Sequence, residues 1–227
     1  MSLFRVCVAL LVVAGFLPAA TIFSENFEGD LAVHAENQGV GVLAGTQFEV
    51  VNGRADLITA ASPYTSQCQM IGSGSANCID TTGGGYPRVP GTIQTIATID
   101  FEPGIYLLEF DLYGWFYDNL TPEDPSDDIT QSASIRVMLA GIFDETFFRD
   151  GSQNPYPTIV RQLIVDDPTS VRLVFEDVSG SAGYAGAILD NISISSIAPD
   201  VEEVPEPASM ALVVAGFAAL AFMRRRA

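Results

Sequence analysis

The chain has 227 residues and a formal net charge of −18, and 48% of its residues are hydrophobic. Six of its ten arginines and 27 of its 28 acidic residues lie within residues 21–204, which gives that part a net charge of −21. A surface this acidic repels nucleic acid and anionic lipid headgroups, so we exclude nucleic acid as a partner; it favours solubility and divalent cations.

The first 20 residues have the pattern of a secretory signal peptide. Arg5 supplies a positive charge near the start, residues 6–17 form an apolar run, and Pro18, Ala19 and Ala20 form a small-residue exit. The run is too short to span a bilayer but suits the apolar region of a signal peptide. We predict that residues 1–20 are removed on export.

Most of the chain that follows alternates between apolar and polar residues. This alternation covers residues 21–27, 47–51, 55–59, 93–101, 106–112, 135–139, 158–165 and 171–175. A period of two is typical of half-buried strands, and turn residues such as Pro103 and Gly104 separate the segments. We predict one all-β domain over residues 21–198, an antiparallel β-sandwich of jelly-roll type.

Two cysteines remain once Cys7 leaves with the signal peptide. Cys68 and Cys78 lie in a chain bound for an oxidising compartment, where such a pair forms a disulfide. The alternative is a metal–thiolate site, which needs more ligands than these two and the distant His34. We predict the disulfide Cys68–Cys78.

Residues 113–128 combine an aromatic run with an acidic loop. Tyr113, Trp115 and Tyr117 are candidate carbohydrate-binding residues, because aromatic faces stack on sugar rings; the alternative is that they belong to the core. The loop lacks the spacing of a calcium-binding EF-hand, so we interpret it as solvated. Its acidic residues are Asp118, Glu123, Asp124, Asp127 and Asp128.

Asp190 lies in an apolar segment near the end of the predicted domain. If Ile188, Ile192 and Ile194 face the core, period-two geometry places Asp190 on the same apolar face. An ionised carboxylate there needs a cation or several hydrogen bonds. The alternative to a cation is that Asp190 accepts hydrogen bonds from backbone amides at a strand end.

The C-terminus has the features of a short membrane anchor. After a linker and a proline-flanked glutamate in residues 199–207, the apolar residues 208–223 would form a helix of roughly 24 Å, short of the ~30 Å hydrocarbon core. The basic tail, residues 224–227, includes Arg224, Arg225 and Arg226, which favour the cytoplasmic side. This leaves residues 21–204 outside. An ordinary single-span anchor is the alternative.

The order of these features resembles the PEP-CTERM sorting signal. Pro205, Glu206 and Pro207 form the triplet, and the short apolar helix and the arginine cluster follow it. The resemblance implies that an exosortase-type membrane protease removes the tail, so that the helix is a temporary anchor. It also implies a Gram-negative bacterium that makes exopolysaccharide or biofilm matrix.

The exported part resembles the β-sandwich domains of PEP-CTERM proteins, which are similar to galactose-binding-like and carbohydrate-binding modules. The resemblance rests on the order of Asn26-Phe27-Glu28, Cys78-Ile79-Asp80 with Gly83-Gly84-Gly85, Pro103-Gly104-Ile105-Tyr106 with Phe110-Asp111, and Gly186-Ala187-Ile188-Leu189-Asp190-Asn191-Ile192. In such modules, an acidic residue near the first strand and an aspartate of the last strand often hold structural calcium. Glu25 and Glu28 with Asp190 are the matching residues, with Asp30 as an alternative, and calcium prefers such oxygen ligands.

We therefore expect an exported, non-catalytic protein of the cell surface or extracellular matrix, with a binding or structural role toward exopolysaccharide. The chain has a single histidine and no G-x-S-x-G nucleophile motif. One alternative is a polysaccharide hydrolase or lyase that uses a carboxylate pair. Another is a matrix scaffold without a ligand.

Overall fold

The computed structural model describes residues 20–29, 35–60, 62, 68, 77–82, 89–117, 129–150, 157–179 and 186–197. They lie within one compact unit, Leu17–Ile197. In chain order, the strands are β1 (Thr21–Glu25), β2 (Ala35–Gln38), β3 (Gly41–Val42), β4 (Phe48–Asn52), β5 (Ala55–Ile58), β6 (Cys78–Asp80), β7 (Thr92–Thr95), β8 (Ile99–Phe101), β9 (Gly104–Tyr113), β10 (Trp115–Tyr117), β11 (Ile129–Gln131), β12 (Ala133–Leu139), β13 (Phe143–Arg149), β14 (Ile159–Val165), β15 (Thr169–Val171), β16 (Leu173–Asp177) and β17 (Ile188–Ile197).

Two large antiparallel sheets contain most of these strands. The first sheet has the order β14-β9-β17-β6-β5-β2, and β1 also pairs with β17. The second sheet has the order β13-β12-β16-β7-β4-β3, and two small sheets pair β10 with β11 and β8 with β15. The chain crosses repeatedly between the two large sheets. The predicted antiparallel sandwich of jelly-roll type is thus confirmed.

The main core lies between the inner faces of the two large sheets. Along β12, the side chains alternate between buried and half-buried, as a strand with one face on a core must. Phe110 of the first sheet meets Phe175 and Phe147 of the second, with ring centroids 5.5 and 5.3 Å apart. Burial of each such side chain contributes about 2 to 3 kcal/mol, so these contacts hold the sheets together.

Two predicted strands are divided in the structure. Residues 93–101 form β7 in the second sheet and β8 in a small sheet, and residues 171–175 are split between β15 and β16. The period-two pattern continues through both breaks because the parts on either side each bury one face. Alternation alone therefore does not show where a strand changes sheet.

The two ends of the described domain are joined by hydrogen bonds. The amide of Ala20 donates to Ser196 Oγ at 3.0 Å, and the amide of Ser196 donates to the Ala20 carbonyl at 2.9 Å. Both ends of the described domain therefore lie side by side near the C-terminal end of β17. Ala20 apart, the predicted signal peptide lies outside the described residues, as do residues 199–207, 208–223 and 224–227. Over the residues that are described, no helix combines the length and apolar character of a membrane span.

Candidate functional site

Four buried aspartates share the outer face of the first sheet. Asp56 of β5 lies opposite Asp80 of β6, and Asp111 of β9 lies opposite Asp190 of β17. Each is at most 7% exposed. Their strand neighbours Leu57, Ile79, Leu112 and Leu189 belong to the main core, so alternation directs the four carboxylates to the opposite side. We call Asp56, Asp80, Asp111 and Asp190 the aspartate face.

A bulge in β17 sets the direction of Asp190. The pairing with β9 shifts register between Asp190 and Ser193, and Asn191 has a φ of 49°. The shift turns Ile192 and Ile194 into the main core, whereas Ile188 and Asp190 face the other side. The prediction that Asp190 shares a face with Ile192 and Ile194 is therefore wrong, because the extra residue changes the alternation.

At the bulge, the carboxylates of Asp111 and Asp190 accept hydrogen bonds from neighbouring residues. Asn191 Nδ2 donates to Asp111 Oδ2 at 2.8 Å, and Thr158 Oγ1 donates to Asp111 Oδ1 at 2.6 Å. The amide of Asn191 donates to Asp190 Oδ1 at 2.7 Å. Bonds of this kind offset part of the cost of burying a carboxylate. The sequence offers a backbone amide as the alternative partner of Asp190, and the amide of Asn191 is such a donor.

A second apolar cluster lies on the same side as the aspartate face. It consists of Ile58, Cys68, Cys78, Tyr113 and Ile188. Cys68 and Cys78 are joined by a disulfide with an S–S distance of 2.05 Å, as predicted. Burial raises the pKa of the Tyr113 hydroxyl, and the charges of Asp111 and Asp190 raise it further.

Asp80 lies in a perturbed electrostatic environment on the aspartate face. Its Oδ1 accepts hydrogen bonds from the amide and hydroxyl of Thr82 and from the amide of Gly186, at 2.8–2.9 Å. Burial raises the pKa of the Asp80 carboxyl to about 6, and the charge of Asp56 adds to the rise although the hydrogen bonds oppose it. Asp80 therefore gains a proton under mildly acidic conditions.

Asp177 of the second sheet binds the residue after Asp80 and the residue before Ile188, which lies opposite Asp80 in β17. Its Oδ2 accepts from Thr81 Oγ1 at 3.0 Å and from the amide of Ala187 at 3.3 Å. Gly186 has no room for a side chain, because a Cβ would lie 2.4 Å from Asp177 Oδ2. The sequence does not predict four of these carboxylates as site residues: Asp56, Asp80, Asp111 and Asp177. The alternating pattern places Asp56 and Asp111 on the polar faces of their strands, so it gives no signal that they are buried.

The predicted calcium ligands do not form a coordination group. Glu25 accepts hydrogen bonds from the amides of Phe27 and Gln47, and Glu28 accepts one from the amide of Asn77. Within the described part of the chain, no three Asp, Glu, His or Cys residues stand close enough to hold a metal ion. Calcium binding through Glu25, Glu28 and Asp190 stays a prediction from the sequence.

The predicted carbohydrate-binding residues occupy two different environments. Tyr113 is buried in the second apolar cluster, so its ring faces protein. Trp115 and Tyr117 lie in β10, which pairs with β11, and their side chains lie outside the described residues. His34 and the acidic loop of residues 118–128 also lie outside them.

Comparison with known sequences identifies one signal. The PEP-CTERM protein-sorting motif matches residues 203–226, which confirms the sorting signal predicted from Pro205, Glu206, Pro207 and the arginines. The chain is thus marked as an exported protein sorted by an exosortase. No curated protein sequence matches the chain significantly.

Three solved structures resemble the fold at low identity. TmCBM61, solved with β-1,4-galactotriose, is 8% identical with a TM-score of 0.39, and the match covers 76% of this chain and 94% of that one. For the Phanerochaete chrysosporium exo-β-1,3-galactanase with β-1,3-galactotriose, the identity is 12%, the TM-score 0.36 and the coverages 77% and 29%. The CBM22 tandem domain of Paenibacillus barcinonensis Xyn10C is 13% identical with a TM-score of 0.38, and the match covers 84% of this chain and 48% of that one. Similarity at this level does not assign the chain to any of these families.

Proposed function

We propose that this chain is a non-catalytic β-sandwich protein of the surface or extracellular matrix of a Gram-negative bacterium, and that its folded part binds extracellular polysaccharide. The observation that carries export and sorting is the PEP-CTERM motif over residues 203–226. The disulfide Cys68–Cys78 agrees with it, because such bonds persist in oxidising compartments.

The arrangement of β9 supports a sugar ligand. β9 ends at Tyr113, and β10 with Trp115 and Tyr117 follows directly. Aromatic rings pack against the apolar faces of sugars. Because Tyr113 is buried, Trp115 and Tyr117 are the residues proposed to stack on the ligand.

A polysaccharide hydrolase is the second candidate, and the pair Asp56 and Asp80 is the observation that favours it. A carboxyl with a raised pKa beside a second carboxylate is the usual pattern of acid–base catalysis. However, both side chains are buried, and a polymer substrate needs an open approach to the reacting groups. This weighs against catalysis. A ligand-free matrix scaffold is the third candidate.

Binding and turnover assays on the same purified exopolysaccharide separate these functions. We expect binding without product, and we expect Trp115→Ala to weaken binding at least about tenfold. The control Phe148→Ala removes a 62% exposed ring from β13 of the second sheet and should leave binding unchanged. Product that disappears in Asp80→Asn would support the hydrolase. Absence of both binding and product would support the scaffold and contradict our proposal.

The sorting proposal has its own test in the producing cell. Intact mass of surface-recovered protein should lack Arg224, Arg225 and Arg226, because processing at the triplet removes the tail. Glu206→Ala should leave the tail attached, whereas Glu202→Ala, outside the matched segment, should be processed normally. Wild-type surface protein that retains the three arginines would refute the proposal of exosortase processing.

A further inference from the structure

The outer edges of the two large sheets differ in their protection against pairing with another chain. An edge strand exposes unpaired backbone groups, and proteins usually protect it by short length or charged side chains. β3 has two residues and β2 has four including Glu36, while β13 includes Asp144, whose side chain is 54% exposed. Among the described residues, three of the four strands that end these two sheet orders thus have a recognisable protection.

β14 is the exception. It is the end strand of the first sheet, has seven residues and contains no proline. Val160, Gln162 and Ile164 face outward without a charge, and Ile164 is 64% exposed. Ile164 lies opposite the exposed Ile105, which lies opposite the exposed Ile197. The edge therefore continues into a row of three exposed isoleucines.

The one charged residue of β14 is directed toward its own domain. Arg161 forms an ion pair with Glu145 of β13 at 2.8 Å, and its guanidinium lies 4.8 Å from the centroid of the Phe147 ring. Arg161 therefore links the two sheets, and its charge does not protect the outer edge of β14. On a chain that is acidic over most of its length, this strand presents an uncharged face.

We propose that β14 pairs antiparallel with β14 of a second copy of this chain, joining two first sheets across a twofold axis. An axis at Gln162 places this residue opposite itself, and Val160 opposite Ile164 of the partner subunit. The strand is self-complementary in this register, because its apolar residues form cross-strand pairs and the side-chain amide of Gln162 lies opposite the same amide of the second copy.

The expected dimer is reversible. One pair of seven-residue strands with a few side chains buries less than the ~1,200 Å² of a standard interface, which places it among weak, transient interfaces. The two acidic bodies also repel each other. Salt screens this repulsion over about 8 Å at physiological ionic strength, so higher salt should strengthen the dimer.

Sedimentation equilibrium tests the proposal. The sample is the chain without its signal peptide and sorting tail, measured over a wide concentration range at low and high salt. We expect a monomer–dimer equilibrium that Ile164→Lys weakens at least about tenfold, because it places a charge on the paired edge. The matched control is Val42→Lys on β3, where the side chain is 60% exposed, and it should dimerise like the wild type. An unchanged melting temperature shows that each variant is folded.

A cysteine pair tests the register. The proposed axis places Gln162 beside its own copy, so Gln162→Cys should form disulfide-linked dimers readily under mild oxidation. Thr146→Cys, exposed on the β13 edge, should do so much more slowly. A chain that is monomeric under all conditions, a dimer that Ile164→Lys leaves intact, or equal cross-linking of both cysteine variants overturns the proposal.

Discussion

Asp80 combines two opposing influences on one buried carboxyl. Burial and the charge of Asp56 raise its pKa from 3.8 to about 6, although Thr82 and Gly186 donate hydrogen bonds to its ionised form. The folded chain therefore holds a proton on Asp80 at pH values where the unfolded chain has lost it. The resulting stabilisation is complete below about pH 4 and is lost as the pH rises through about 6.

We predict that Asp80→Asn removes this pH dependence. The shift corresponds to about 3 kcal/mol, so the free energy of unfolding of the wild type should fall by about that amount relative to the variant between about pH 4 and pH 7. Urea unfolding of both proteins across this range measures the difference. Parallel curves for the two proteins would show that Asp80 titrates normally.

Gly186 is fixed by the lack of space beside Asp177. A Cβ at this position would lie 2.4 Å from Asp177 Oδ2 and 2.7 Å from Thr82 side-chain atoms. We predict that Gly186→Ala lowers the free energy of unfolding by about 1 to 3 kcal/mol, because the surrounding atoms are forced apart. Gly39→Ala is the control, because its Cβ would meet no atom within 4 Å. Chemical denaturation of both variants measures the free energy of unfolding. Equal effects of the two substitutions would contradict the argument.

At the scale of the strand, the bulge in β17 explains both what the sequence predicts and what it does not. The apolar pattern correctly indicates a strand that includes Asp190. It cannot reveal that Asn191 adopts a positive φ and adds a residue, because Asn is also common in regular loops. One inserted residue reverses the face of every later side chain, so strict alternation counted back from Ile192 and Ile194 places Asp190 on the wrong face.

Asn191 has a conformational role and a bonding role, which two substitutions separate. Asn191→Ala strains the positive φ and removes the bond to Asp111, whereas Asn191→Gly removes only the bond. We predict losses of unfolding free energy of about 2 to 3 kcal/mol for alanine and about 1 kcal/mol for glycine. Thermal denaturation of both variants measures these losses. A glycine variant less stable than the alanine variant would show that φ is not limiting.

Other strands show the same limit of local patterns. β13 has charges at Asp144 and Glu145 next to phenylalanines, so its alternation is broken and the pattern does not predict a strand there. In the structure, Asp144 pairs with Arg136, and Glu145 pairs with Arg161 of the other sheet. These partners are distant in sequence or belong to another strand, and a local pattern does not contain them.

For the whole molecule, the sequence predicts the fold class and the sorting signal better than the site. The fold class follows from alternation, which many strands repeat, and the sorting signal from contiguous residues. The aspartate face depends on register between four strands, and a single residue does not encode register. For this reason the sequence indicates Asp190 but not the aspartates that share its face.

The disulfide belongs to this scale, because it restricts the unfolded chain as a whole. Replacing Cys68 and Cys78 together by serine should lower the free energy of unfolding by about 2 to 3 kcal/mol, the usual effect of closing a short loop. Urea unfolding of the double variant, compared with the oxidised wild type, checks this value. In native exported protein, the two thiols should resist alkylation until a reductant is added; alkylation without reductant would disprove the bond.

The hydrogen bonds between Ala20 and Ser196 make the start and finish of the sandwich neighbours. A short linker between them, with a new opening in the tight turn at Gly141 between β12 and β13, should give a circular permutant with the same pairing of strands. The order in which the ribosome makes the strands is thus separable from their arrangement. The chain therefore enters the sandwich before Ala20 and leaves it after Ile197 at neighbouring positions.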